Sequence, residues 1–178
     1  ATELVEQYPD SPEAVRALLI KAEAELRKGE PEAALATYRQ METKASDAAD
    51  INAARMGILR VSHTLGYGAD VLEAAARILE SSSVGSAEKR EASFDKAMAL
   101  SALGRENEAA EIWDELAADM GDLYGAKAAY YRAQRHFDAG KTEQALAEAN
   151  SLIDANPPHD YWLARGFILL SDIRRSQG

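Results

Sequence analysis

The feature that most constrains this chain is a glycine that returns at a near-constant interval: Gly29, Gly66, Gly104, Gly140 and Gly178, spaced by 37, 38, 36 and 38 residues. Each follows a stretch whose apolar residues recur at helical spacing, where glycine takes the left-handed conformation that closes a helix. A period of this length points to a helical repeat array rather than to one irregular core. Aligned on the glycines, the chain falls into columns. Five residues on lie Ala34, Val71, Ala109 and Ala145; nine on, Tyr38, Ala75, Trp113 and Ala149; twelve on, Met41, Ile78, Leu116 and Leu152. Ten residues upstream lie the large Leu19, Met56, Phe94, Tyr130 and Ile168, and seven upstream the mostly small Ala22, Leu59, Ala97, Ala133 and Ser171. Steps of three and four put each set on one helical face, and large opposite small lets helices interlock closely.

Each unit therefore reads as helix A, a glycine turn and helix B. The spacing predicts A helices near 12–28, 48–65, 87–103, 123–139 and 159–177, and B helices near 31–45, 69–81, 106–120 and 142–155. Ser11-Pro12-Glu13 supplies a cap, a proline at the first helical position and an acid at the positive helix end, and Glu30-Pro31-Glu32 is expected to start the next helix the same way. Ser81 to Ser86 and Asn156-Pro157-Pro158 are breaks between units. The expected fold class is all-α, a right-handed solenoid of antiparallel helix pairs forming a single array over 1–178. Its units lie near 11–46, 47–85, 86–121 and 122–157, with half-units at 1–9 and 158–178. Leu4, Val5 and Tyr8 read as part of a B helix, while Tyr161 to Gly178 reads as an A helix without its partner. Trp162, Phe167, Ile168, Leu170 and Ile173 are too apolar for a capping repeat, so the array is expected to continue on both sides.

Composition agrees with packed helices and narrows the chemistry. The apolar share is 47 %, much of it alanine, beside 28 % charged residues. Thirty acidic against twenty basic residues leave a formal net charge of −10, which argues against nucleic acid and anionic membrane surfaces as partners. Arg174-Arg175 and Glu88-Lys89-Arg90 read as solvated helix faces. The apolar stretch Gly166 to Leu170 is too short to cross a bilayer, and the lack of cysteine excludes disulfides and thiolate metal sites. His63, His136 and His159 are the histidines; two fall in last turns of A helices, where a partly positive imidazole suits the negative helix end. No zincin, phosphate-loop or nucleophile-elbow motif occurs, and the carboxylate pairs Glu108/Glu111 and Glu23/Glu25 read as solvated. The expectation is no catalysis, no cofactor and no metal.

The run Gly29-Glu30-Pro31-Glu32-Ala33-Ala34-Leu35-Ala36-Thr37-Tyr38 resembles the turn and second helix of the tetratricopeptide repeat family, and Gly104 to Trp113 and Gly140 to Ala149 repeat it more loosely. The period is longer than that family's 34 residues, and the unit at Gly66 carries Ala75 where an aromatic is usual. Tyr8-Pro9-Asp10-Ser11-Pro12-Glu13-Ala14 is similar to the inter-repeat linker of bacterial envelope members of the TolA-binding and outer-membrane-assembly lipoprotein type. That similarity implies a bacterial source and a periplasmic or outer-membrane-associated place in preference to the cytoplasm.

The resemblance implies a non-catalytic scaffold that holds a protein or peptide segment on a concave face built from A helices, without membrane insertion. By analogy the inner columns are Arg16, Ala53, Glu91, Lys127 and Arg165; Ile20, Gly57, Asp95, Tyr131 and Leu169; and Glu23, Arg60, Met98, Gln134 and Asp172. Asn52 falls outside them, so no clamp for a C-terminal carboxylate is expected. The richest partner-binding candidates are Tyr124, Lys127, Tyr131, Gln134, Tyr161 and Arg165, with Arg60 in the earlier half, since tyrosine and arginine make good interface anchors. Two other readings stay open: a spacer or self-association module acting through its end helices, and a helical accessory domain of a larger enzyme.

Overall fold

A computed structural model describes residues 11–177; the half-unit at 1–9, linker residues Tyr8 to Asp10 and the Gly178 marker lie outside the described residues. Among the described residues the fold is all-α, with no strand and nine helices: α1 (Pro12–Arg27), α2 (Pro31–Lys44), α3 (Ala48–Leu65), α4 (Gly68–Glu80), α5 (Ser86–Ala102), α6 (Glu106–Ala117), α7 (Leu123–Asp138), α8 (Thr142–Ala155) and α9 (Asp160–Ser176). Within each of two compact parts of the chain, short turns join successive helices into packed neighbours, the helix-pair arrangement of an α–α solenoid.

The glycine marker does what the period requires. Gly29, Gly66, Gly104 and Gly140 all hold φ between 70° and 78°. At three of them the next residue reaches back five positions: the Glu30, Tyr67 and Lys141 amides donate to the Glu25, Ser62 and His136 carbonyls at 2.9 Å. These bonds satisfy carbonyls that a helix end otherwise leaves open. Ser11 caps α1 as expected, its Oγ accepting from the Ala14 amide at 3.1 Å. Glu30 does not repeat this. It makes no side-chain cap bond, because its backbone is committed to closing α1, and only Pro31 and Glu32 favour the start of α2. Helix α6 stops at Ala117, short of the expected 120, where Asp119 Oδ1 accepts from the Gly121 amide at 2.9 Å and turns the chain.

The chain divides into two compact units at Leu103/Gly104, inside the third glycine turn. In the first, α3 packs against α2 and α4, and against the next A helix, α5. The core holds Leu18, Tyr38, Met41, Leu59, Val71 and Ile78, so the repeat columns are its inner faces. One contact depends on an absent side chain. A Cβ at Gly57 would lie 2.5 Å from the Tyr38 ring, far inside van der Waals contact. Gly57→Ala is therefore expected to destabilise: about 1–3 kcal/mol of overpacking outweighs the roughly 1 kcal/mol that alanine gains over glycine in a helix. A urea titration of the variant reads this directly, and a rise in midpoint contradicts it. On the opposite side, Glu42 accepts from Arg55 Nε at 2.8 Å and from Arg77 Nη1 at 3.0 Å, tying α2, α3 and α4 together.

In the second unit α7 packs against α6, α8 and α9. Arg132 of α7 bridges both B helices, with Nε 3.1 Å from Asp114 and Nη2 2.6 Å from Glu148. The column alignment fails in the last helix. Ile168 and Ser171 were aligned with the packing columns, yet Ile168 is 59 % exposed and Ser171 is exposed, whereas Gly166, Leu169, Leu170 and Ile173 are buried. Leu169, placed by analogy on the inner face, is thus a core residue. Among the described residues helix α9 packs chiefly on α7 and α8, and that fixes a different buried stripe from helices with partners on more sides. Phe167 and Ile168 are left at the surface.

Candidate functional site

Six of the seven sequence-nominated residues, Tyr124, Lys127, Tyr131, Gln134, Tyr161 and Arg165, lie in the second unit, and the structure links them through an aromatic cluster on α7 and α9. Asp122 starts α7, its Oδ1 accepting from the Gly125 amide at 2.8 Å, and so sets the register of every α7 side chain that follows. Tyr131 stacks on Trp113 of α6, with centroids 5.6 Å apart and planes 15° apart. Tyr130 meets Tyr131 edge-on at 5.5 Å, and Trp162 tilts against both, 5.5 Å from Tyr130 and 6.1 Å from Tyr131. Tyr161 stands edge-on to Trp162 at 5.1 Å and is 62 % exposed.

Two cations sit on these rings. Lys127 Nζ lies 5.2 Å from the Tyr124 centroid and 5.7 Å from that of Trp162. Arg165 lies 4.8 Å over Tyr130; its Nη2 donates to the Tyr130 hydroxyl at 2.6 Å and its Nη1 to the Tyr161 hydroxyl at 3.3 Å. Those hydroxyls, Tyr130 first, hold the guanidinium more firmly protonated than usual. The chain of bonds continues: the Tyr130 hydroxyl donates to Gln134 Oε1 at 2.9 Å, and Gln134 Nε2 donates to Asp138 at 2.8 Å. Burial, ahead of the neighbouring tyrosines, raises the pKa of Tyr131, as expected for a ring enclosed between Trp113 and Trp162. Rings this close, with hydrogen-bonded polar tips, make a rigid surface that costs little entropy to bury again against a partner.

Arg60, the seventh nominee, belongs to the first unit. Its Nε and Nη2 donate to the two carboxylate oxygens of Glu91 at 2.6 and 2.8 Å, joining α3 to α5. It stands in an open groove of about 570 Å³ lined from α1 by Leu19, Glu23 and Leu26, and from α3 by Asn52, Ala53, Met56, Gly57 and Arg60. Tyr38 closes the floor, and Ser83, Val84 and Glu88 form the far wall. Four inner-column residues, Glu23, Ala53, Gly57 and Arg60, are in this lining. The sequence reading missed its far wall. Asn52 Nδ2 donates to Ser83 Oγ at 2.8 Å, and Ser81 Oγ donates to Asn52 Oδ1 at 3.3 Å, folding the α4–α5 turn back onto α3. Nothing in the repeat spacing marks that bond; a polar Asn on an A helix facing a Ser-rich break was the available signal.

Of the two carboxylate pairs, Glu108 is held by Arg105 at 2.7 Å and Glu25 by the Thr37 hydroxyl at 2.7 Å, while Glu23 lines the open groove of the first unit. His63 Nδ1 lies 3.1 Å from Asp95. Among the described residues no group of His, Asp and Glu is arranged to hold a metal ion, and no helix is long and apolar enough to cross a membrane. His136 departs from expectation. Burial first, then Arg135, with Lys141 and Arg132 behind it, lowers its pKa despite Glu148, so the site opposes the partly positive imidazole that the helix end would favour. With the folded pKa below the unfolded value of about 6.5, the unfolded chain takes the proton first. This contribution is absent above that value and costs stability as pH falls through it. His136→Gln is expected to lose less stability than the parent between pH 7.5 and 5, roughly the window set by that value; parallel pH-dependent denaturation curves contradict it.

The family model for the tetratricopeptide repeat matches residues 1–49, which take in α1, α2 and the start of α3. This match supports a tetratricopeptide-like repeat protein, and such repeats are typically non-catalytic and generally mediate protein–protein interaction. No curated protein and no solved structure gives a match to the chain.

Proposed function

We propose that this tetratricopeptide-like chain is a non-catalytic scaffold that holds a segment of a protein partner against the inner surfaces of its A helices. The observation that carries the reading is the cluster on α7 and α9, where Tyr161 and the Lys127 and Arg165 cations crown a stack of packed aromatic rings. Such a surface combines apolar area, orienting hydrogen bonds and little side-chain freedom, the properties of interface anchors. Tyr124, Lys127, Tyr161 and Arg165 make the contact in this reading; Tyr131 and Gln134 hold the others in place. An envelope location rests on the linker residues Tyr8 to Ala14 alone.

Affinity capture from the native cell tests this. The parent chain is expected to retain one dominant protein that Tyr161→Ala with Lys127→Ala loses, while far-UV circular dichroism stays unchanged. Equal retention by a folded double variant overturns the assignment of these residues.

A further inference from the structure

We propose that the groove of the first unit is a docking site for a partner segment that pairs apolar side chains with lysine or arginine. The inference rests on the scaffold reading and adds the chemistry of what the groove accepts. Its floor and walls offer Leu19, Leu26, Tyr38, Ala53, Met56 and Val84, enough apolar surface to take one or two aliphatic side chains. Two of its three charged lining residues are acidic. Glu23 stands on the α1 wall and Glu88 on the α5 wall, both exposed, and neither has a salt-bridge partner among the described residues. Arg60 is the one cation among the lining residues, and both carboxylate oxygens of Glu91 accept its hydrogen bonds. The groove therefore carries two exposed carboxylates, one from α1 and one from the first turn of α5, beside its apolar lining and within a chain of net charge −10. A basic and apolar segment satisfies both features, whereas an acidic one would set like charges against each wall.

The far wall is also built rather than incidental. Asn52 ties the Ser81–Ser83 turn to α3, which fixes Val84 and the start of α5 across the groove from α1. A wall held by side-chain hydrogen bonds keeps the groove open before a partner arrives, which lowers the entropy lost on docking.

Fluorescence anisotropy of the full chain with two short labelled peptides tests the proposal. The peptides share their leucine and alanine positions and carry either lysine or glutamate at the rest. The lysine peptide is expected to bind. Binding should weaken about tenfold in Glu23→Gln/Glu88→Gln, with a flatter salt dependence. It should be lost in Ala53→Arg, which fills the groove with a cation. A control pair, Glu111→Gln/Glu143→Gln, removes the same charge from exposed positions of the second unit and should leave affinity within about twofold. If Ala53→Arg does not fold, the two glutamine pairs decide alone. Equal weakening by both pairs overturns the proposal, because it reveals attraction to net charge only. Groove-dependent binding of the glutamate peptide overturns the stated chemistry while the scaffold reading stands. Binding of neither peptide overturns the proposal as well, and leaves the scaffold reading to the capture experiment at Tyr161 and Lys127.

Discussion

Replacing Trp113 with alanine is expected to remove about 3–5 kcal/mol from the second unit, the largest effect of any single truncation considered. Trp113 is 2 % exposed at the centre of α6 and stacks on Tyr131, so its loss leaves a void that helices on both sides are too constrained to fill. The same ring supports Tyr131, which supports Tyr130 and Trp162, so the truncation also loosens the platform beneath Lys127 and Arg165. A domain's whole stability is only about 5–15 kcal/mol, so the variant should unfold at a much lower denaturant concentration than the parent. Both tryptophans lie in the second unit, so the fluorescence of the remaining Trp162 follows this unit in a denaturant titration. Trp113→Phe, which keeps an aromatic ring, should lose only about 1–2 kcal/mol. Equal losses in the two variants would contradict this and mean that the shape of the indole matters more than the aromatic area it buries.

Leu59→Ala is expected to cost the first unit about 2–5 kcal/mol. Leu59 is 0 % exposed in α3, the helix that packs on α2, α4 and α5, so the cavity opens in the helix with the most neighbours in this unit. The range reflects how far those helices can close on the gap, and the tight contact between Gly57 and Tyr38, two residues along the same helix, limits that movement. The first unit has no tryptophan among its described residues, so amide hydrogen exchange across α2–α5 is the appropriate reading. Faster exchange throughout those helices is the expected result, and Leu59→Met should leave exchange within about 1.5 kcal/mol of the parent. Unchanged protection in Leu59→Ala would contradict the central place given to α3.

The repeat was legible because its signals are local. A glycine at φ near 70° and three- or four-residue apolar steps are properties of a single helix and its end, and they placed the helices to within one to three residues. What was not legible depends on the neighbours. Ile168 shares its column with Met56 and Tyr130 yet lies at the surface, because burial depends on which helices flank α9 and not on spacing along it. Tyr131 shows the converse. On α7 it reads as an inner-face candidate, but Trp113 from α6 and Trp162 from α9 enclose its ring, so Tyr161 becomes the exposed aromatic of the cluster. The groove in the first unit was half visible. Its α3 wall follows from the repeat columns, while its far wall depends on the hydrogen bond between Asn52 and Ser83, 31 residues apart. The pKa of His136 was also beyond spacing, since it turns on burial and on which basic residues crowd the end of α7.

Site-specific photo-crosslinking from position 161, in the full-length protein in its native cell, tests the scaffold reading most directly. Tyr161 is exposed at the edge of the cluster and bears little of the packing, so a photoreactive residue there samples the surface without unfolding it. One dominant protein adduct, lost when Lys127 is replaced by alanine, is the result this account predicts. No adduct from position 161, with positions 124 and 165 equally silent, would contradict it and favour a spacer that holds nothing on this face.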